Sequence, residues 1–546
     1  MMPQHKSSLA QSLAPPAFLV VLSGALFAYL LARFPYNGFY GQDAYAYFYQ
    51  AEALWRELTA QPQPPFALFS ANGLYWPVGY HLHLLPGFLI GWPEAGRMLT
   101  LAMAALTPVI LYLVVGEVWH TAGAGERALA GVVAGVVLLV NGTYVRTGLS
   151  LMSDVPAVFW GTLSVYCCLR AWSPYERTQG GRASHLWAVG VGLSLGLAVL
   201  VRYSSTLLVP ALVLYVLAGL YARKRQGLPQ DAGQQGARWQ KGVLLAVVGV
   251  AVALLPQLAY ALTHEPGPAL RGWSIGNLFS STVSGPGGTE TFSQPMLVFY
   301  LLGPLANASA GFLSPLYLGA FVLGVWMLVR QRNVSMLILI FLWWFIGVLA
   351  YSGTSYQTHR FVLTFMPVLA ILAGIGTGSA FSLLFRKVDR ARGVPGIREF
   401  GAAVAATLIL LGLCIGMVQG WHSAERWAAT HAGFNTQEQQ VVALAREAVV
   451  TQGEEGTPRA VSFGFSAPLY HYTRWPILDF FLHDEEDIRD FLAGPGPRMV
   501  VLPEESISTR WAATPSAARW QWLQSAYELT RQGTVGVFTV YRVTDR

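Results

Sequence analysis

Repeated apolar runs of about 20 residues constrain this chain more than any other feature of its sequence. A run of that length crosses the hydrocarbon core of a bilayer as a helix. Only 12% of the residues are charged, about half the share usual in soluble proteins. The sequence therefore predicts an α-helical polytopic membrane protein and excludes a cytosolic enzyme. We expect about 11 transmembrane helices, near residues 16–34, 97–119, 127–146, 155–171, 186–201, 204–222, 240–262, 311–330, 335–351, 361–384 and 400–421.

The composition changes after Trp421. Up to that residue the chain has 24 basic and 13 acidic residues, and beyond it 11 and 15. The net charge of +7 thus arises in the membrane part, and no nucleic-acid partner is predicted. Short helix-like and strand-like patterns alternate after Trp421. We therefore expect a transmembrane module over 1–421 and a small soluble α/β domain over 422–546.

The basic residues also predict an orientation. Lys and Arg accumulate in cytoplasmic loops, and here they cluster at 170–182, 221–241, 330–332 and 386–398. This places the N-terminus inside and, with an odd number of spans, the C-terminal domain outside. The main outer segments are then a long first loop, 35–96, with two amphipathic helices expected at the membrane interface, and the turns 141–154 and 352–360.

Asp43, in the first outer loop, is a candidate general base. It follows the first span by a few residues, within "YNGFYGQDAYAYFYQAEAL", where partial desolvation makes a carboxylate a better proton acceptor. An Asp at the start of a helix is also a common cap. The residues alone do not decide between these interpretations.

Asp154, in "SLMSDVPAVFW", has the same ambiguity. An Asp two residues before a Pro is typical of a helix start. The functional alternative is a second carboxylate facing the outer cavity, which could hold the acceptor or a metal, or tune Asp43.

Arg202 and Arg360 are cations at outer membrane boundaries, where the positive-inside bias disfavours them. A guanidinium presents a planar fork that matches phosphate oxygens, so both are candidates for binding a lipid phosphate. Snorkelling to lipid headgroups is the alternative. Neighbouring His359, Tyr356 and Tyr203 could donate further hydrogen bonds.

His81 and His83 are the only pair that suggests a metal site, and they are weak candidates. Their segment is helix-like, and residues two apart on a helix point in different directions. The sequence has no Walker loop, Gly-x-Ser-x-Gly elbow or His-Glu-x-x-His motif. This disfavours ATP-driven, serine-hydrolase and zincin chemistry.

Several segments, taken in order, resemble the GT-C superfamily of integral membrane glycosyltransferases over roughly 16–384. More narrowly, they resemble the bacterial relatives of protein O-mannosyltransferases and aminoarabinose transferases. The segments are "GQDAYAYFYQAEAL", "YWPVGYHLHLLPG", "SLMSDVPA", "RYSSTLLVPALVLY" and "HRFVLTFMPVLAILAG". Many relatives have two adjacent acidic residues in the first loop, whereas Asp43 here stands between Gln42 and Ala44.

The resemblance implies a GT-C fold whose membrane module transfers a sugar from a polyprenyl phosphate, such as undecaprenyl phosphate, to an acceptor hydroxyl with inversion. Asp43 would be the catalytic base, Asp154 the second carboxylate, and Arg360, Arg202, His359 and Tyr356 would bind the donor phosphate. Tyr45, Tyr75, Tyr80 and Tyr203 are expected to line the substrate pocket.

The implied partners are membrane lipids, the lipid-linked donor and a glycan, lipid or protein acceptor. The implied location is the cytoplasmic membrane of a bacterium or archaeon, with the active site outside. No cofactor is expected to be obligatory; a divalent metal is possible but not predicted. The alternative function is a multi-span transporter or a flippase for lipid-linked sugars, since such proteins also place ionisable groups within the membrane region.

Overall fold

The computed structural model describes most of the chain. The described residues are 9–62, 76–92, 95–172, 181–225, 232–263, 273–285, 288–306, 313–388, 397–452, 455–480, 483–509, 511–512 and 514–546.

Sixteen α-helices and one small hairpin precede the soluble domain within these residues. The helices are α1 (Leu9–Arg33), α2 (Gly41–Leu58), α3 (Val78–Leu89), α4 (Gly96–Val118), α5 (Ala124–Leu139), α6 (Gly142–Leu149), α7 (Asp154–Trp172), α8 (Gly181–Val201), α9 (Val209–Arg225), α10 (Ala232–Thr263), α11 (Met296–Ala306), α12 (Leu318–Arg330), α13 (Val334–Ser352), α14 (His359–Val362), α15 (Met366–Val388) and α16 (Ile397–Gln452). The hairpin strands are β1 (Thr282–Gly285) and β2 (Gly288–Thr291), and 3₁₀ helices occupy Tyr203–Leu208, Ile275–Phe279 and Pro315–Tyr317.

All eleven predicted spans fall on helices. Eight helices in the described part of the chain are long and apolar enough to cross a membrane, and nine if the bent pair α5 and α6 is one span. The other two predicted spans correspond to α7 and to the shorter apolar helix at Pro315–Arg330. The multi-span helical architecture is confirmed, while the number of crossings stays a prediction.

The bend between α5 and α6 separates an ordinary span from a short helix at the end of the bundle. The two helix axes differ by 65°. Asn141 lies at the break, and its side chain accepts a hydrogen bond from the Tyr144 amide, which caps α6. This cap starts a new helix in a new direction and brings α6 against α16.

The first loop contains helices where the sequence predicts them, but α2 does not lie on a surface. Ala44, Tyr45, Ala46 and Ala51 are completely buried. The reason is that α2 packs on both sides, against the membrane bundle and against the soluble domain. Its apolar residues are covered by protein rather than by lipid.

Helix α16 joins the bundle to the soluble domain without a break. It has 56 residues, which is about 84 Å at 1.5 Å per residue. The domain boundary expected at 421/422 falls inside this helix. The sheet of the soluble domain begins only at Arg459.

The soluble domain is a five-stranded mixed sheet with helices, as predicted for an α/β domain. The strand order is β4-β3-β5-β7-β6, in which β3 is parallel to β4 and β5, and β7 is antiparallel to β5 and β6. The elements are β3 (Arg459–Ser462), α17 (Ser466–Thr473), β4 (Ile477–Asp479), α18 (Glu485–Leu492), β5 (Arg498–Leu502), α19 (Glu504–Ser508), α20 (Pro515–Ala526), β6 (Tyr527–Val535) and β7 (Phe538–Asp545).

The last predicted strand is two strands. The segment "GTVGVFTVYRV" reads as continuous, but the chain reverses at Gly536, whose φ of +58° lies in the left-handed region that glycine adopts readily. The result is the β6/β7 hairpin.

A buried polar network joins the soluble domain to α2. The Tyr45 hydroxyl donates to Glu438 Oε2 at 2.7 Å, and Asn435 Nδ2 donates to the Phe39 carbonyl at 2.9 Å. The Tyr49 hydroxyl lies 2.6 Å from His471 Nδ1. These bonds connect α16 and α17 to both sides of Asp43. The soluble domain thereby fixes the position of the candidate base.

We expect the protein to become less stable as the pH decreases, because of His471. Burial, together with the charge of Arg474, lowers the pKa of His471 to about 4, below the ordinary value of about 6.5. The unfolded chain therefore binds more protons between these values, so this contribution is complete above pH 6.5 and is lost as the pH falls toward 4. The unfolding temperature in detergent should be lower at pH 5 than at pH 7, and His471→Gln should reduce that difference.

The matched control is His422→Gln, because the His422 side chain is 65% exposed. It should keep the wild-type pH dependence. A His471→Gln protein with an unchanged slope would contradict the assignment.

Candidate active site

Four charged side chains meet at the end of the bundle that faces the soluble domain. They come from four distant parts of the chain: Asp43 from the first turn of α2, Asp154 from the start of α7, Arg202 from the residue after α8, and Arg360 from α14. The sequence predicted each of them separately. The structure brings all four together.

Asp43 and Arg360 form the outer pair of this cluster. Arg360 Nη1 donates to Asp43 Oδ2 at 2.7 Å, and the N-cap of α2 is Tyr40, which makes no side-chain capping bond. Asp43 thus contacts a guanidinium 317 positions away along the chain. Its geometry supports the functional interpretation over the helix cap.

Asp154 and Arg202 form the inner pair. Arg202 Nη1 lies 3.1 Å from Asp154 Oδ1 and 3.3 Å from Ser153 Oγ, which in turn lies 2.8 Å from the Tyr47 hydroxyl. Arg360 Nε is 3.9 Å from Asp154 Oδ2 and links the two pairs. Carboxylates and guanidinium groups therefore alternate in the order Asp43, Arg360, Asp154, Arg202.

The two carboxylates differ in access. The Asp43 side chain is 36% exposed, whereas that of Asp154 is only 3% exposed. The Asp43 carboxylate is therefore accessible, and the Asp154 carboxylate is enclosed beside the two arginines. Burial lowers the pKa of Arg360, but the charges of Asp154 and Asp43 outweigh it and raise that pKa above its usual value, so the guanidinium stays charged.

The turn before α14 sets the direction of Arg360. Thr358 caps α14 by accepting from the Arg360 amide. The Tyr300 hydroxyl, on α11, accepts from the Thr358 amide at 3.1 Å and donates to the Tyr356 carbonyl at 2.7 Å. This network fixes a loop that would otherwise let the guanidinium move.

The other predicted phosphate ligands, His359 and Tyr356, lie just before Arg360 in the chain. The His359 ring stacks on Phe299, with centroids 5.6 Å apart. Burial, and then the charge of Arg146, lower its pKa to about 4, so the ring is neutral at pH 7. The Tyr356 side chain is 39% exposed.

The three described pocket tyrosines have two different environments. Tyr45 and Tyr80 are completely buried; the first bonds to Glu438 and the Tyr80 hydroxyl lies 3.1 Å from Thr100 Oγ1. They hold helices together instead of lining an open pocket, because both rings pack in a continuous apolar cluster. Tyr203 is 37% exposed. Tyr75 lies outside the described residues.

His81 and His83 do not form a metal site with other described residues. Both lie on α3. His81 is bonded to Gln50 Oε1 at 2.9 Å and to the Pro77 carbonyl at 3.2 Å. No group of three His, Cys, Asp or Glu side chains in the described part of the chain could hold a metal ion.

Arg146, on α6, is a site residue that the sequence reasoning missed. Its guanidinium lies over the Trp427 ring at 4.5 Å and the Tyr40 ring at 5.8 Å. The charges of Arg360 and Asp154 act on it. A signal was present: Arg146 is a basic residue in the outer turn 141–154, disfavoured there for the same reason as Arg202 and Arg360.

Comparisons with known proteins agree with this architecture. Residues 95–266 match the family model of dolichyl-phosphate-mannose-protein mannosyltransferase. A comparison with curated protein sequences gives no match.

Three solved structures are similar over nearly the whole chain. ArnT from Cupriavidus metallidurans in the apo state is 16% identical, with a TM-score of 0.58 and 98% of each chain covered. The same protein bound to undecaprenyl phosphate is 15% identical, with a TM-score of 0.59 and the same coverage. The archaeal oligosaccharyltransferase AglB from Archaeoglobus fulgidus, in complex with an inhibitory peptide and a dolichol-phosphate, is 13% identical, with a TM-score of 0.58, covering 99% of this chain and 75% of that one.

These likenesses confirm the resemblance to GT-C glycosyltransferases at the level of the fold. At such identities the fold is what is shared, and the fold does not fix the reaction.

Asp154→Asn should destabilise the protein strongly. It leaves Arg202, whose side chain is 14% exposed, without its close counter-charge, and breaking a buried ion pair costs about 3 kcal/mol or more. We expect a clear fall in unfolding temperature in detergent. The double variant Asp154→Asn with Arg202→Met should recover part of the loss because no unpaired charge remains. A single variant as stable as the wild type would contradict this account.

Proposed function

We propose that this chain is a membrane glycosyltransferase that moves a sugar from a polyprenyl-phosphate donor to an acceptor hydroxyl, with inversion at the anomeric carbon. The observation that carries the proposal is the accessible Asp43 carboxylate, held by Arg360 in front of the buried pair of Asp154 and Arg202. The fold shared with ArnT and AglB supports this interpretation.

Asp43 acts as the general base. One of its oxygens accepts from Arg360, which leaves the other to take the proton of an acceptor hydroxyl. General-base help of this kind contributes about 10²–10⁴-fold to rate. Asp154 has no comparable access, and its role is to balance both arginines.

The bond changes are those of a simple displacement. The acceptor oxygen attacks the anomeric carbon as its proton passes to Asp43. The bond between that carbon and the phosphate oxygen breaks, and its electron pair leaves with the polyprenyl phosphate. Attack opposite the leaving phosphate passes through an oxocarbenium-like state and inverts the centre, by analogy with glycosidases.

Donor chemistry explains why one carboxylate suffices as catalyst. A polyprenyl phosphate leaves without a proton once a cation stabilises the developing negative charge. Arg360 lies beside Asp43 and, with His359, lines this side of the site. The reaction therefore needs neither a separate acid nor an obligatory metal.

The proposed location follows from the basic loops. They place the N-terminus in the cytoplasm and the soluble domain, with the active site, on the outer face of a bacterial or archaeal cytoplasmic membrane. A lipid-linked donor suits that face because the lipid carries its own activated bond. The acceptor would be a glycan, a lipid or a protein reached from the same side.

A flippase for lipid-linked sugars remains the second candidate, favoured by charged groups within a multi-span bundle. The two functions differ in one observable. A transferase cleaves the sugar–phosphate bond, whereas a flippase moves the intact lipid.

Asp43→Asn should abolish release of polyprenyl phosphate. The assay uses purified full-length protein, a panel of undecaprenyl-phosphate hexoses and pentoses radiolabelled in the sugar, and membrane extract as acceptor source. We expect a loss of about 10²-fold or more, since the amide takes up no proton at neutral pH. Asp490→Asn, on the exposed face of α18, is the matched control and should keep full activity.

Cleavage that persists in Asp43→Asn would contradict the assignment of the base. Transfer of intact donor across proteoliposomes, without cleavage by the wild type, would favour the flippase instead.

Chelation should leave the rate within about twofold of the untreated value, because arginines rather than a metal ion would neutralise the phosphate. The same release assay with EDTA measures this. Loss of activity that Mg²⁺ or Mn²⁺ restores would contradict the prediction.

A further inference from the structure

The four-residue cluster carries no net charge. Asp43 and Asp154 balance Arg360 and Arg202, and each guanidinium lies within 4 Å of a carboxylate. A donor phosphate diester brings one negative charge, and the leaving phosphate develops a second. Stabilising those charges requires a cation that the carboxylates do not already neutralise.

Arg146 meets that requirement. Among the described residues its guanidinium has no carboxylate within ion-pair distance. Its helix, α6, packs against α14 and α7, the helices that carry Arg360 and Asp154, and the charges of both residues act on it, so Arg146 borders the same site. Of the arginines described here at the site, Arg146 contributes the unbalanced positive charge.

The aromatic rings that hold Arg146 keep its hydrogen-bond donors available. Trp427 and Tyr40 contact the guanidinium through their ring faces, which are cation–π contacts. Such contacts use the flat faces of the group and leave its N–H edge for a phosphate, which arginine can bind through two parallel bonds.

His431 provides a second, independent indication of a ligand. It is completely buried, and neither ring nitrogen has a hydrogen-bond partner among the described residues. Its ring stacks on Tyr40 with centroids 3.9 Å apart, and the charge of Arg146 acts on it. Buried polar groups are almost always bonded, and the N–H of a neutral imidazole can donate to a phosphate oxygen held by the neighbouring guanidinium.

The backbone explains how these groups come together. Trp427 and His431 are four residues apart on α16, and therefore on one face of the helix. A side chain at Gly142 would approach Ser423 Oγ at 2.5 Å and Trp427 Cδ1 at 3.1 Å. The absence of a side chain there lets α6 approach α16 closely enough for Arg146 to reach Trp427.

We propose that Arg146, assisted by His431, is the main binding site for the donor lipid phosphate, while Arg360 and Arg202 chiefly balance and position the two carboxylates. This rests on the proposed function and changes the roles expected from the sequence. The phosphate would leave toward the α6 and α16 side of the site, and Asp43 would act on the acceptor.

The test measures binding separately from turnover. Undecaprenyl phosphate is titrated into the purified full-length protein in nanodiscs and bound lipid is quantified by native mass spectrometry. Arg146→Met should weaken binding by at least about 10-fold, since it removes a bidentate charged contact. Arg146→Lys should recover only part, because an ammonium lacks the planar fork.

Two controls make the result specific. Arg426→Met removes the same charge from an exposed neighbour of Trp427 and should bind like the wild type. Undecaprenol, which lacks the phosphate, should bind equally to the wild type and Arg146→Met. Equal unfolding temperatures of the variants establish that folding is intact.

The outcomes separate this inference from the proposed function. Undecaprenyl phosphate binding by Arg146→Met within twofold of the wild type would overturn the inference, even if the wild type transfers sugar. Binding that depends on Arg146, in a protein that cleaves no donor, would uphold the phosphate site and reject the transferase. A larger loss in Arg360→Met than in Arg146→Met would return the phosphate to Arg360.

Discussion

The alternation of charge from Asp43 through Arg360 and Asp154 to Arg202 is the constraint on which the rest of the structure depends. Each of these groups is costly to place near a bilayer alone, and each becomes tolerable only when its neighbours are in position. The four elements that carry them must therefore converge at one end of the bundle. Much of the surrounding architecture maintains that convergence: the capped break before α6, the Tyr300 network that fixes the α14 turn, and the junction that anchors α2.

Charged residues that look equivalent in the sequence have different surroundings in this cluster. Asp154 is buried and lies within 4 Å of two arginines, whereas the Asp43 side chain is 36% exposed and contacts one. Arg360 and Arg202 are neutralised by these carboxylates, and Arg146 is held by aromatic rings. Burial and counter-charge thus give the two aspartates and the three arginines different environments.

The sequence predicted the fold class and much of the cluster, because span length and misplaced charges are local signals. Arg202 and Arg360 stood out as basic residues at outer membrane boundaries, whereas Asp43 and Asp154 also fitted the starts of helices. The sequence did not show which side chains contact one another in the fold. Tyr45 reads as a pocket residue beside Asp43, and only the fold places Glu438 within 2.7 Å of it. Arg146 has the same local signal as Arg202 and Arg360 but was overlooked, and only the fold shows its contacts with Tyr40 and Trp427, which are distant in the chain. The domain boundary was placed where polarity changes, but a helix can pass from lipid into water without ending, as α16 does.

The continuity of α16 also sets a register between the membrane and the soluble domain. Trp421, near the end of its apolar part, and Glu438, which accepts a hydrogen bond from the Tyr45 hydroxyl, lie 17 positions apart on the same unbroken helix. One inserted residue would raise everything beyond it by 1.5 Å and turn it by about 100°, carrying Glu438 away from α2. The continuous helix therefore couples the depth of the bundle in the bilayer to the angle at which the soluble domain meets the first loop. Length variation should be far better tolerated in the connection after Gln452 than between these two residues.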